Sequence, residues 1–252
     1  MTEEAPSSEY NVKTISLFDA KRLVGLKISA YEDYLAARVL FNSNLLTPAC
    51  YLANTCIEKE LKAYLEIRGY KTPDRHNSFD LYTMIDNRIK DHNIKIDKGF
   101  LRILSKIYKS RYTEKLSPGY NFVVLKNKFL AELDYVYSIL ESKERFQLQP
   151  PPYISKTTYE EGIEEKDIRL LSNNHILLKI DKTDYLNRVE TIYEYRIVVN
   201  HEIFQITYNT RKSNLDNNFE YVGIFPQSDN KSYYVSHMED GTLNPNIPVQ
   251  IG

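Results

Sequence analysis

Signature motifs are what this chain most conspicuously lacks. Eight glycines in 252 residues leave no G-x-G-x-x-G and no G-x-x-x-x-G-K-[ST], which excludes a dinucleotide fingerprint and a phosphate-cradling P-loop. H-E-x-x-H and G-x-S-x-G are missing too, so neither a zinc-protease helix nor a serine nucleophile elbow is encoded. The two cysteines, Cys50 and Cys56, form no C-x-x-C and have no metal-ligand spacing, which fits a reducing compartment. No apolar run approaches the ~18 residues of a membrane helix. The amino-terminal MTEEAPSSEY is acidic and polar, unlike a secretory leader or transit peptide. A cytoplasmic protein with no cofactor and no metal is expected. Neither sign of charge is in excess: 33 Lys+Arg face 34 Asp+Glu, so no whole-molecule field steers nucleic acid.

What is present is an ordinary globular balance, 42% hydrophobic and 27% charged, in a chain long enough to bury a core without staples. The clearest punctuation is QLQPPPY at 147–153. Three successive prolines continue neither a helix nor a central strand, and they stiffen the chain into a spacer. Patterning changes across it from a period of 3.6 to a period of 2. The expected architecture is α+β: an antiparallel bundle of about five helices over 14–147, then a small antiparallel β domain over 154–252.

In the first half, Leu23, Leu26, Ala30, Tyr34 and Ala37 form one helical stripe, and Cys50, Ala53, Ile57, Leu61 and Tyr64 a second. Pro48 near the start and Gly69 past the end punctuate that second helix. A third begins near Ser78, with Asn77 or Ser78 as cap, and a fourth spans about Lys98 to Thr113. The fifth carries Phe122, Leu125, Phe129, Leu133, Val136 and Leu140. In the second half, Tyr193, Tyr195, Ile197 and Val199 alternate with polar residues, as do Phe204, Ile206 and Tyr208; a hairpin with one buried and one wet face is expected, turning at Asn200 and His201. Ile176 to Ile180, Phe219 to Phe225 and Ser232 to His237 are further strand candidates. The halves differ in charge: 23 Lys+Arg to 19 Asp+Glu over 1–149, but 10 to 15 over 150–252, so complementary charge is expected to help them dock.

One stretch, YLANTCIEKELKAYLEIRGYKTPDRHNSFDLYTM from Tyr51 to Met84, resembles the HEPN family, the higher eukaryotes and prokaryotes nucleotide-binding domain. Its second-helix signature EKxLKAxL is matched by Glu58, Lys59, Leu61, Lys62, Ala63 and Leu65. The following loop and third helix are matched by Gly69, Pro73, His76 and Leu81. SAYEDYLAARVLF upstream is similar to the family's first helix, and SRYTEKL downstream to the end of its fourth. The resemblance spans about 16–145 and implies a helical bundle that binds RNA or a nucleotide, a homodimer made through the helical half, and a place in a prokaryotic toxin- or antiviral defence-type system. The residues also have a plain structural reading: Glu58 and Lys62 are an i, i+4 pair in the favourable orientation, Ala63 lets a helix approach, and His76 braces a loop.

Many members of the family are metal-independent endoribonucleases using Arg, four to six residues, then His. An imidazole moves protons near neutral pH, and a guanidinium holds the phosphate. Here Arg111 stands in the expected place with no histidine after it, so a non-catalytic member is expected. A ribonuclease whose histidine comes from elsewhere, and a dimeric module recognising a partner protein through its β domain, are the alternatives. Arg68–His76 and Arg88–His92 miss the spacing; Arg169–His175 and Arg196–His201 meet it but fall in predicted strand or turn. The candidate binding residues are Arg102, Lys106, Lys109, Arg111 and Tyr112, extended by Lys115 and Tyr108, because phosphates need a track of cations and bases stack on aromatic faces. Glu160, Glu161, Glu164 and Glu165 read as a solvated acidic patch, and His76, His92, Asp74 and Asp91 carry no metal-site spacing.

Overall fold

A computed structural model describes residues 13–15, 17–74, 77–116, 120–143, 146–148, 156–197, 203–210, 233–237 and 243–250. In chain order they form strand β1 (Lys13–Ile15), helices α1 (Leu17–Asn42), α2 (Leu46–Ile67), α3 (Ser78–Arg88) and α4 (Lys98–Lys109), a 3-10 turn (Thr113–Lys115), and strand β2 (Asn121–Leu125). Helix α5 (Lys126–Lys143), strand β3 (Phe146–Leu148) and the short helices α6 (Thr158–Glu164), α7 (Ile168–Leu171) and α8 (Lys182–Leu186) follow. Strands β4 (Glu190–Ile197), β5 (Ile203–Thr210), β6 (Tyr233–His237) and β7 (Leu243–Gln250) come last.

The expected helices form where local chemistry starts and stops them. Asn77 accepts from the N–H groups of Phe79 and Asp80 at 3.1 and 3.4 Å to open α3, and Asp97 does the same for α4 from Gly99 and Phe100 at 2.7 and 3.3 Å. Helix α2 ends on Gly69 at φ 80°, with the N–H of Gly69 on the Glu66 carbonyl and that of Tyr70 on Leu65. This is a Schellman stop, and a side chain at Gly69 would be strained there. Helix α4 closes at Lys109, short of Thr113, and the chain continues as a separate 3-10 turn.

Two expectations about local structure are corrected. Phe122 and Leu125 lie on a strand, not on the fifth helix, which begins at Lys126. Every residue of β2 is buried; a five-residue stretch covered on both faces gives a helical stripe and a central strand the same apolar reading, and Val123–Val124 settles it as strand. Ile176 to Ile180 is turn rather than strand: Asn174 Oδ1 accepts from Leu177 N–H at 3.1 Å, and Lys179 takes a positive φ.

The hairpin β4–β5 is antiparallel as expected, with Tyr193 opposite Thr207 and Tyr195 opposite Gln205. Yet β4 lies between β5 and β2, pairing Phe122 with Tyr195 and Val124 with Tyr193. Among its described side chains, Ile192 and Glu194 are buried on one face and Tyr193, Tyr195 and Ile197 on the other, so Glu194 is not on the wet face expected for it. The antiparallel pair β6–β7 lies within the expected β region. Phe219 to Phe225 and the turn at Asn200 and His201 fall outside the described residues.

β character after the prolines begins only at Glu190; before it stand α6, α7 and α8, which lie against α1 and α5. Tyr159, Leu170, Tyr193, Tyr195 and Ile197 share one apolar cluster with the core of α1, α2, α4 and α5. The sheet β2–β4–β5 thus draws strands from both sides of the expected boundary at 147–154. A capping box between Thr157 and Glu160 opens α6, so part of the acidic patch serves the positive end of a helix. Gly162 on α6 touches the Tyr31 hydroxyl where any Cβ would stand. Across the halves, Lys182 meets Glu132, a base from the acidic half on an acid from the basic one.

Glu190 makes the second electrostatic link. Its buried carboxylate accepts from the backbone N–H of Asn127 at 2.8 Å and of Lys128 at 3.4 Å, capping the first turn of α5 from another part of the chain. Burial pushes its pKa up to about 7, although those N–H groups and Lys126 oppose the rise. A carboxyl whose pKa is raised on folding stabilises below its unfolded value and loses that contribution as pH climbs through the folded one. Wild type should therefore lose on the order of 3 kcal/mol relative to Glu190→Gln between about pH 4.5 and 8. Urea unfolding of both proteins across that range measures the difference.

Candidate nucleic-acid interface

The EKxLKAxL segment is occupied with holding helices together. Lys59 reaches across to α1, 2.6 Å from both Asp33 Oδ2 and Ser29 Oγ. Buried Glu60 holds Lys27 of α1 at 3.0 Å, and Lys27 also meets Glu141 of α5 at 2.6 Å. Glu58 and Lys62 make the expected i, i+4 pair at 2.7 Å, while Leu61, Ala63 and Leu65 are fully buried. These charges tie α2 to its neighbours. Cys50 and Cys56, also on α2, are buried free thiols whose pKa burial raises.

The cations of α4 and the turns after it are arranged differently: five of them lie over aromatic rings, the first being Lys98, with its Nζ 5.9 Å from Tyr82. The guanidinium of Arg102 sits 4.9 Å from the Phe79 ring, and Lys106 Nζ 5.8 Å from Tyr120. Arg111 lies 5.2 Å from Tyr108 and 5.7 Å from Tyr51, and Lys115 Nζ 5.0 Å from Tyr112. Arg102, Lys109, Arg111, Lys115 and Tyr112 are exposed, Tyr112 at 45%. Lys106 is only half-buried on this face, and burial lowers its pKa. Arg111 has no carboxylate partner among the described residues. Successive backbone turns, Arg111 N–H to Tyr108 O and Tyr112 N–H to Lys109 O, place Arg111 and Tyr112 at the exposed end of α4. A row of cations braced on rings can hold phosphates and present stacking faces.

The two histidines whose side chains are described, His92 and His175, lie elsewhere. His92 Nε2 is 3.2 Å from Asp86, and its Nδ1 accepts from Ile94 N–H, so both ring nitrogens serve a loop. His175 is 3% exposed, with its ring 5.1 Å from Tyr185 and its Nδ1 without a partner. Burial, then the charges of Lys182 and Arg38, lower its pKa. Arg169, its sequence partner in the Arg-x5-His spacing, is exposed and clamped to Asp167 at 2.6 Å. His76, His201 and the Arg196 side chain fall outside the described residues. Among the described residues no three metal-ligating side chains converge, and no helix is long and apolar enough to cross a membrane.

Sequence patterning does not single out the most buried charged centre. Arg38 of α1 is 0% exposed and pairs with Asp134 of α5. Its Nε donates to the Arg169 carbonyl at 3.2 Å, and its Nη2 donates to that of Ser172. Tyr34 Oη donates to Asp134 at 2.7 Å, stacks on Tyr137 at 4.0 Å, and accepts from Asn174. Burial works against the charge on Arg38, but Asp134, with Tyr34 and Tyr185 beside it, more than offsets that and holds the guanidinium above its usual pKa. The available signal is positional: Arg38 lies one turn from Tyr34, and Asp134 one turn from Tyr137, on faces that are otherwise apolar.

A family model described as HEPN domain matches residues 26–146, which run from α1 to the start of β3. Over residues 26–146, the helical half, the chain matches the HEPN domain family. The match covers the α1–α2 pair with its tying charges, the α4 row and Arg111, and stops before α6 to α8 and β4. No curated protein and no solved structure shows a significant match. A HEPN domain points to a nucleotide- or RNA-related, or toxin- or defence-type role. Within this one, Arg38 belongs to the scaffold that positions the later elements. Arg38→Ala should cost roughly 3–5 kcal/mol by leaving a buried carboxylate uncompensated, and Arg38→Met with Asp134→Leu should recover most of it. Urea denaturation of the three proteins checks both.

Proposed function

We propose that this HEPN domain binds single-stranded RNA along α4 without cleaving it, as a homodimer made through the helical half, in a prokaryotic toxin- or defence-type system. The observation that carries the reading is the row from Arg102 to Lys115, in which exposed cations lie over aromatic rings. A phosphate backbone needs regularly placed cations, and unstacked bases gain about 1–3 kcal/mol each on aromatic platforms. The absence of cleavage rests on Arg111, which no histidine follows at the family's spacing, and on the described histidines. General acid–base transfer needs an imidazole within reach of the proton it moves, and His175 is enclosed while Arg169, which would hold the phosphate, faces solvent bound to Asp167.

Fluorescence anisotropy with a short labelled oligouridylate tests the reading. Affinity should fall linearly in log–log form as salt rises, with a slope of about −0.7 per phosphate contacted. Arg102→Glu with Lys109→Glu should weaken binding by roughly tenfold or more and flatten that slope. No affinity at low salt would leave the partner-protein module as the better reading. Scission of the RNA in the presence of chelator would instead indicate a ribonuclease whose histidine comes from a partner or from another part of the chain.

A further inference from the structure

Helix α1 buries Leu23, Ala30, Tyr34 and Ala37 on its inner side. Lys21, Gly25, Ile28 and Glu32 lie on the other side at i, i+4, i+7 and i+11, and all four are exposed, Ile28 at 40%. That spacing draws one seam along the helix. Its residues are not explained by anything in the chain itself. A glycine in a helix interior weakens the helix, and no close approach demands one here: a Cβ built at Gly25 meets nothing within 4 Å. Ile28, one turn on, presents an apolar side chain to solvent. Lys21 and Glu32 bracket the pair with opposite charges, and neither has an ion pair among the described residues.

The seam is complementary to itself. When a second α1 is laid antiparallel across a two-fold axis between Gly25 and Ile28, Ile28 falls on the partner's Gly25 and Lys21 on the partner's Glu32, each contact occurring twice. Ile28 then fills the space that the missing Cβ leaves, a knob in a hole. Other registers fit worse. An axis at Glu32 brings Gly25 to the partner's Val39 but sets Glu32 against the partner's Glu32, like charge on like. An axis at Ile28 turns Gly25 toward the partner's Tyr31, which is buried and offers no knob.

We propose that the homodimer forms through this face, with α1 antiparallel to α1 of a second copy and Ile28 seated on the partner's Gly25. The proposal rests on the homodimer in the function given above and names its surface. None of the α4 cations belongs to the seam, so pairing leaves both RNA-binding rows open.

Gly25→Leu is the deciding variant. The position is exposed and has room, so leucine should keep or raise the melting temperature at low protein concentration, where the chain is monomeric. By filling the hole it should raise the dimer dissociation constant of the full chain about tenfold or more in sedimentation equilibrium. Lys21→Glu should raise that constant roughly three- to tenfold, and adding Glu32→Lys should return it to near wild type. Within one helix these two residues stand about 16 Å apart, too far to meet, so rescue reports a contact between copies. A wild-type dimer that Gly25→Leu leaves equally tight, or that the double reversal fails to restore, overturns this surface while the homodimer reading stands. A wild-type chain that sediments as a monomer at about 100 µM removes both.

Discussion

A buried guanidinium is the constraint around which this molecule is arranged. Arg38 sits near the C-terminal end of α1, away from water, where an unpaired charge would be prohibitively costly. Its partners come from distant parts of the chain: the Asp134 carboxylate on α5, and the carbonyls of Arg169 and Ser172 on the segment carrying α7. The last two lie beyond the prolines, so satisfying one helix charge fixes the path of the chain that follows the bundle. Asp134 is steadied in turn by Tyr34, and Tyr34 by Asn174 and the Tyr137 ring. A network of this kind is stable when its members are matched and costly when one is removed.

Glu190 repeats the same logic at the other end of α5. A helix that follows directly on a strand has no preceding residue free to cap it, and the carboxylate that serves its first N–H groups arrives from β4. Helix α5 is thereby held along its length by Asp134, through Arg38 and Tyr34 of α1, and at its start by Glu190, which comes from after the prolines. The consequence for function is geometric. With β4 held against β2, Tyr193 meets Thr47 at the start of α2, while the rings beneath the exposed cations of α4, Tyr51 and Tyr108 among them, lie within the HEPN match.

The helical half was largely legible because its determinants are local. Caps at Asn77 and Asp97, the glycine stop at Gly69 and the stripes of α1 and α2 each act within a turn or two. The EKxLKAxL residues were legible as scaffold for the same reason, and the cations of α4 because helical spacing alone puts them on one face. What was not legible depends on distant partners. Phe122 to Leu125 reads as helix until β4 pairs with it, and β4 reads as one-faced although Glu194, on its expected wet face, is buried. Arg38, Asp134, His175 and Glu190 look like surface residues in one dimension, since burial of a charge is decided by whoever supplies the other half.

Native-state hydrogen exchange tests most directly whether the two halves stand or fall together. If Arg38 and Glu190 bind them into one cooperative unit, the amides of Tyr193 and Tyr195 on β4 should exchange with the same opening free energy as those of Ile57 and Leu61 on α2. Amides on β4 that open several kcal/mol more easily than those on α2 would show a separately folding appendage and contradict it.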